Sequence, residues 1–69
     1  KGGERMNRID ELRKKQNKSY SQIAKETGLT TAYIFQLAKE KRSNPTLEVM
    51  QKIANALGQK VERVFQLNK

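Results

Sequence analysis

Apolar side chains in this chain return every third or fourth residue in short blocks, and each block is closed by a glycine, a proline or a polar joint. That period belongs to an amphipathic α-helix, in which residues at i, i+3, i+4 and i+7 share one face, and the strict alternation of a half-buried strand is missing. The expected fold is therefore all-α and built from short helices. The first helix spans Met6 to Gln16, where Met6, Ile9 and Leu12 form a narrow apolar stripe among charges. Lys1 to Arg5 precede Met6 and read as an appended remnant or a flexible basic arm outside the fold.

Ser19 followed three residues later by Gln22 matches a capping box, which starts a second helix carrying Ile23 and Ala24 inward and ending at Gly28. Leu29 leads to Thr30, another N-cap candidate, and Thr31 to Lys39 places Ile34, Leu37 and Ala38 at helical spacing. Lys41, Arg42, Ser43, Asn44 and Pro45 make a polar joint. Thr46 then caps a fourth helix, with Leu47, Met50, Ile53, Ala54 and Leu57 in the cleanest amphipathic pattern of the chain and Gly58 at its end. A fifth helix is expected from about Val61 to Leu67, offering Val61, Val64, Phe65 and Leu67 for burial.

Sixty-nine residues leave room for a single domain, over residues 6–69. The chain has neither Cys nor His, which excludes disulfides, the usual zinc sites, thiolate nucleophiles and imidazole bases. Asp10, Glu11 and Glu26 are read as carboxylates on solvated faces, without a base, metal cluster or phosphate loop beside them, so no enzyme, cofactor or metal site is expected. No apolar run is long enough for a membrane span, and Lys1 to Asp10 lack the apolar centre of a secretory signal, so the expected location is cytoplasmic. Lys and Arg number 15 against 7 Asp and Glu, a net charge of +8 that attracts polyanions, nucleic acid above all.

From Ser19 to Leu37 the order is a capped short helix, a tight turn at Gly28 and Leu29, and a second capped short helix. That is the order of a helix-turn-helix, in which the turn leaves the second helix exposed for a DNA major groove. A small Ala24 suits the close crossing of the two helices. The run Ser-x-x-x-Ile-Ala-x-x-x-Gly-Leu-Thr-x-x-x-Ile-x-x-Leu, followed by Asn-Pro-Thr-Leu and Ile-Ala-x-Ala-Leu-Gly, resembles the Cro and lambda-repressor-like family, also called XRE, from about Ile9 to Phe65. The resemblance implies a compact five-helix bundle that binds double-stranded operator DNA, usually as a symmetric homodimer.

Carried over residue by residue, it implies base contacts from Thr31, Ala32, Tyr33, Phe35 and Gln36. The residue types suit that role: Gln can pair bidentately with adenine, a Thr hydroxyl bonds several base edges, and methyl or aromatic surface touches thymine methyls. Gln36 is the first choice for direct readout, against a plain solvated position. Phe35, beside the inward Ile34 and two residues before Leu37, should face largely outward, either towards thymine methyls or folded back into a protein contact. Tyr33 carries the same ambiguity. Implied phosphate contacts are Arg13, Lys18, Ser19, Tyr20, Lys39, Lys41, Arg42 and Asn44, with Lys14 and Lys15 nearby. Implied dimer contacts are Val61, Val64 and Leu67, with Phe65 inward.

The chain departs from the family pattern in three places. Tyr20 stands where many relatives have a Gln that braces a phosphate. Ala38, Lys39 and Glu40 replace the usual Glu-x-Gly after the third helix and lengthen the joint before Asn44 and Pro45. Lys60 takes the place of a Ser or Thr cap on helix five. These departures bear on the phosphate map and on docking angle rather than on the fold. The leading expectation is a sequence-specific transcriptional regulator, a repressor of bacterial or phage type associated with the nucleoid, which reads an inverted repeat. The alternative is an antitoxin or controller-type module whose protein partner matters as much as DNA. Charge alone also admits RNA or membrane association, but the aromatics are few and helix one has only a narrow apolar stripe.

Overall fold

The structure, a computed structural model, describes residues 7–41 and 45–65. Along the chain come α1 (Ile9–Lys15), α2 (Tyr20–Thr27), α3 (Thr31–Ala38), α4 (Leu47–Ala56) and α5 (Val61–Val64). The all-α expectation holds, and α2, α3 and α4 begin where their caps were read. Ser19, Thr30 and Thr46 are extended at their own positions, and their hydroxyls accept from the amides of Gln22 (3.0 Å), Tyr33 (3.0 Å) and Val49 (3.2 Å). Each cap satisfies an amide that has no partner inside its own helix. The capping box at α2 is only half made. Gln22 donates forward to Glu26 (3.4 Å) instead of reaching back to Ser19, since a partner one turn ahead is as accessible as the cap.

Gly28 takes φ +77°, a left-handed conformation, and returns its amide to Ala24, closing α2 so that Thr30 can open α3 two residues later. The core joins all five helices through Ile9, Ile23, Ala24, Ile34, Leu37, Ala38, Ile53, Ala54, Leu57, Val64 and Phe65. Two expectations fail at the chain ends. Met6 lies outside the described residues, and α1 begins only at Ile9, because Asn7 is buried and accepts from the Ile9 amide (3.1 Å) while donating to the Leu37 carbonyl (2.8 Å). Helix α5 stops at Val64 instead of running to Leu67. Phe65 turns extended to pair with Asn7 in an antiparallel bridge, supported by the Arg8 amide on the Val64 carbonyl (2.7 Å). Leu67 itself lies outside the described residues.

In α4 burial is confined to the second half, Ile53 and Ala54 leading into Leu57, whereas Leu47 at the first position is 57% exposed despite its place in the apolar pattern. The carboxyl ends of α3 and α4 are closed by donors from a distance. Asn7 takes Leu37, the Gln16 amide takes the Leu57 carbonyl (2.8 Å), and the Lys18 ammonium takes the Ala56 carbonyl. Terminal carbonyls lack helical partners and carry the negative end of the helix dipole, so an amide or cation there is stabilising. Among the described residues no helix is long and apolar enough to cross a membrane.

The division of α4 sets a stability test. Ile53→Ala should cost about 2 to 5 kcal/mol in urea unfolding, through lost burial and the cavity left behind. Leu47→Ala should stay within about 0.5 kcal/mol. Equal effects at the two positions would contradict the core described here.

Candidate nucleic-acid interface

One side of α3 is committed to the core, and that commitment determines what the other side shows. Ile34, Leu37 and Ala38 are buried, and at about 100° per residue the opposite stripe consists of Thr31, Ala32, Phe35, Gln36 and Lys39, all exposed. Four of the five residues expected at bases therefore share one solvent-facing surface. The fifth, Tyr33, is half-buried against the core at the edge of that surface. Thr31 and Gln36 are both open to solvent. A helical surface of hydroxyl, methyl, aromatic ring and carboxamide offers donors, acceptors and apolar contact within one groove-sized element.

Phe35 faces outward as its neighbours require, at 40% exposure, and its ring does not stand alone. It meets Tyr20 edge-on, with ring centroids 5.4 Å apart and planes at 87°, the arrangement favoured by aromatic quadrupoles. The Tyr20 hydroxyl donates to Asp10 Oδ1 (2.5 Å), and the Arg13 guanidinium lies over the Tyr20 ring at 4.1 Å. Arg13 Nε reaches the same Asp10 oxygen at 3.0 Å, and Lys39 Nζ reaches Oδ2 at 3.1 Å while lying 5.9 Å from the Phe35 ring centre. Asp10, expected on a solvated face, is thus a buried acid at 8% exposure where α1, α2 and α3 meet. Glu11 and Glu26 are exposed as expected.

Burial acts to raise the Asp10 carboxyl, but hydrogen bonds from Tyr20, Lys39 and Arg13, together with the charge of Lys39, outweigh it and bring the pKa from 3.8 down to about 2. The carboxylate stays ionised and holds its partners. Two cations around one anion leave a net positive charge at this junction, with Lys39 partly open to solvent.

The phosphate map expected from sequence changes accordingly. The Arg13 guanidinium is taken up by Asp10, by the Lys18 carbonyl (3.2 Å) and by the Tyr20 ring. Lys18 turns inward to Ala56 and to Glu26 (3.0 Å), and the Tyr20 hydroxyl is spent on Asp10. Each of these polar groups is held inside the molecule, because a partly buried donor without a partner would lose its hydration for nothing. Ser19, Lys14 and Lys41 are exposed, whereas Arg42 and Asn44 lie outside the described residues. Of the residues expected at a dimer contact, Val64 is fully buried and belongs to the core, since the bridge at Phe65 draws it under Asn7 and Arg8. Val61 is half-buried, and Phe65 is inward as expected.

Asp10, Asn7 and Gln16 were not singled out as polar anchors. For Asp10 a local signal existed, an acid three residues before Arg13 on one helix face. Asn7 and Gln16 bond carbonyls 30 and 41 residues away, where nothing local points.

Comparison with known proteins agrees with this geometry. The model of a family described as helix-turn-helix matches residues 9–64. Among solved structures the chain is similar to SinR, described as the master regulator for biofilm formation and crystallised in complex with DNA. The TM-score is 0.75 at 25% identity, and the match covers 80% of this chain and 87% of that one. No curated protein matches.

The Asp10 junction gives a pH-dependent stability. Its folded pKa lies below the unfolded value of 3.8, so its contribution, about 2 kcal/mol, is complete above pH 3.8 and is lost as pH falls through about 2. Urea unfolding at several pH values should show this slope in the native chain and its loss in Asp10→Asn, measured as the difference between the two proteins. An unchanged slope would remove Asp10 as its source.

Proposed function

The chain belongs to the XRE-type helix-turn-helix family of DNA-binding transcription regulators, and on that premise we propose that it is a sequence-specific repressor of bacterial or phage type that reads double-stranded DNA with α3. The observation that carries the proposal is the solvent-facing stripe of α3, held out by Ile34, Leu37 and Ala38 beneath it. Entry of this stripe into the major groove brings Gln36 to an adenine edge, Thr31 to a neighbouring base, and Ala32 and Phe35 to thymine methyls, with Tyr33 at the flank. The proposed phosphate donors are the exposed Ser19, Lys14 and Lys41 and, at the end of the stripe, Lys39, joined by Arg42 and Asn44 in the joint that follows. Such contacts set affinity and register, whereas the base edges set sequence.

One copy reads too few bases to select a site, because each mismatch costs only about 1 to 3 kcal/mol. The proposed active species is therefore a cytoplasmic homodimer on an inverted repeat, its half-sites roughly 34 Å apart, with Val61 and Leu67 at the contact between copies. A second reading, an antitoxin or controller-type module with a protein partner, is favoured by one observation. Leu47 is largely exposed at the start of α4 and lines a shallow groove shared with Val61 and Glu62 of α5.

Selection of bound sites from random duplexes should return a two-fold symmetric consensus. Gln36→Ala should lower the preference for it by about tenfold, within the 1 to 3 kcal/mol of one bidentate base contact. Lys41→Ala should weaken all duplexes alike and reduce the slope of log affinity against log salt by about 1. Equal affinity of the native chain for every duplex would refute the proposal.

A further inference from the structure

The contacts around Asp10 close a ring through three helices. Asp10 on α1 takes the hydroxyl of Tyr20, the first residue of α2. Tyr20 meets Phe35 on α3 in a T-shaped contact, Phe35 lies near the Lys39 ammonium one turn on, and Lys39 returns to the second oxygen of Asp10. Phe35 is the member of this ring that also faces solvent in the middle of the α3 stripe. An exposed aromatic on a helix ordinarily exchanges between rotamers within nanoseconds. Here its ring is held on one side by Tyr20, whose own position is set by a short bond to a buried carboxylate and by a guanidinium over its face.

We propose that Tyr20 and Asp10 are positioning residues for base recognition: they hold the Phe35 ring in the single orientation that reads the 5-methyl group of a thymine in the major groove. The proposal rests on the DNA-reading role of α3 and adds to it a specificity device that touches no base. Its physical basis is the short range of the interaction being tuned. A methyl group against a ring gains through dispersion and water exclusion, and a gap of 0.5 to 1 Å already forfeits about a quarter to a half of the dispersion well. A freely turning ring covers a methyl part of the time and discriminates weakly. A fixed ring keeps the contact. Tyr20 stands where the family resemblance leads one to expect a phosphate-bracing Gln, and its hydroxyl points to Asp10, so the residue serves the inside of the interface.

The test uses the selected operator and replaces each thymine in turn by uracil, which deletes only the 5-methyl group. For the native chain, at least one position per half-site should lose about fourfold in affinity, the value of one buried methyl group. At the position that Phe35 reads, Phe35→Ala should bind thymine and uracil operators equally, while any position read by Ala32 keeps its loss. Tyr20→Ala should do the same, and Tyr20→Phe, which keeps the ring and loses the hydroxyl bond to Asp10, should fall between. Affinity of these two Tyr20 variants for the uracil operator should stay within about twofold of native, because neither changes the protein's charge. A variant needed only for folding would lose both operators together.

Retention of the full native ratio in Tyr20→Ala, or in Tyr20→Phe if the alanine variant does not fold, would overturn the positioning role. Equal native affinity for thymine and uracil at every position, with the Gln36→Ala effect intact, would overturn methyl reading by Phe35 while leaving α3 as the reading helix. Failure of the native chain to select any sequence would defeat the underlying DNA-reading role instead.

Discussion

The burial of one side of α3 is the constraint on which the other features depend. Eight residues make little more than two turns, and a helix this short is not stable alone, so its conformation comes from the core beneath it. Ile34, Leu37 and Ala38 provide that hold, with Ala24 of α2 small enough to let the two helices approach. Because these positions are fixed inward, geometry alone leaves Thr31, Ala32, Phe35, Gln36 and Lys39 outward. The exposed surface of α3 follows from the core, and a change in the core would move it.

Much of this was legible along the chain. The caps Ser19, Thr30 and Thr46 are local signals, since each hydroxyl bonds an amide three residues on, and the buried positions of α3 follow from helical spacing. What was not legible depends on distant partners. The fifth helix looked longer because Phe65 and Leu67 suit a helix, yet Phe65 is claimed by Asn7 at the other end of the chain. The same reasoning explains the phosphate candidates. Arg13 and Lys18 resemble solvated cations in sequence, and their partners in the same chain, Asp10, Ala56 and Glu26, become visible only once the helices are assembled. Leu47 shows the converse, a residue in register with the core pattern that the bundle does not cover.

A count of 15 Lys and Arg therefore overstates the cations open to a polyanion, although the net charge of +8 already includes their acidic partners. Arg8, Arg13, Lys18, Lys39 and Lys52 each have an acidic partner, and two of them, Arg13 and Lys39, share Asp10. Exposed pairs such as Arg8 with Glu11 add little to stability. The Asp10 cluster differs because its carboxylate is buried and bonded by three donors, so loss of one partner is felt by the others. It links the electrostatics of this junction to the packing of an aromatic pair.

Directional bonds also do what apolar burial cannot. Burial scales with area and has no preferred angle, so a core of Ile, Leu and Ala tolerates several arrangements of short helices. In this chain Asn7, Gln16 and Lys18, all in or beside α1, reach carbonyls at the carboxyl ends of α3 and α4. A hydrogen bond weakens steeply when bent below about 120°, so each bond penalises rotation of the helix end that it holds. The Asn7 bond to α3, with Asp10 joining α1 to α2 and to Lys39 at the end of α3, restricts the orientation of α3 more narrowly than its few buried side chains could, while Gln16 and Lys18 do the same for α4. A domain with only 35% apolar residues thereby presents one surface instead of an ensemble of similar ones.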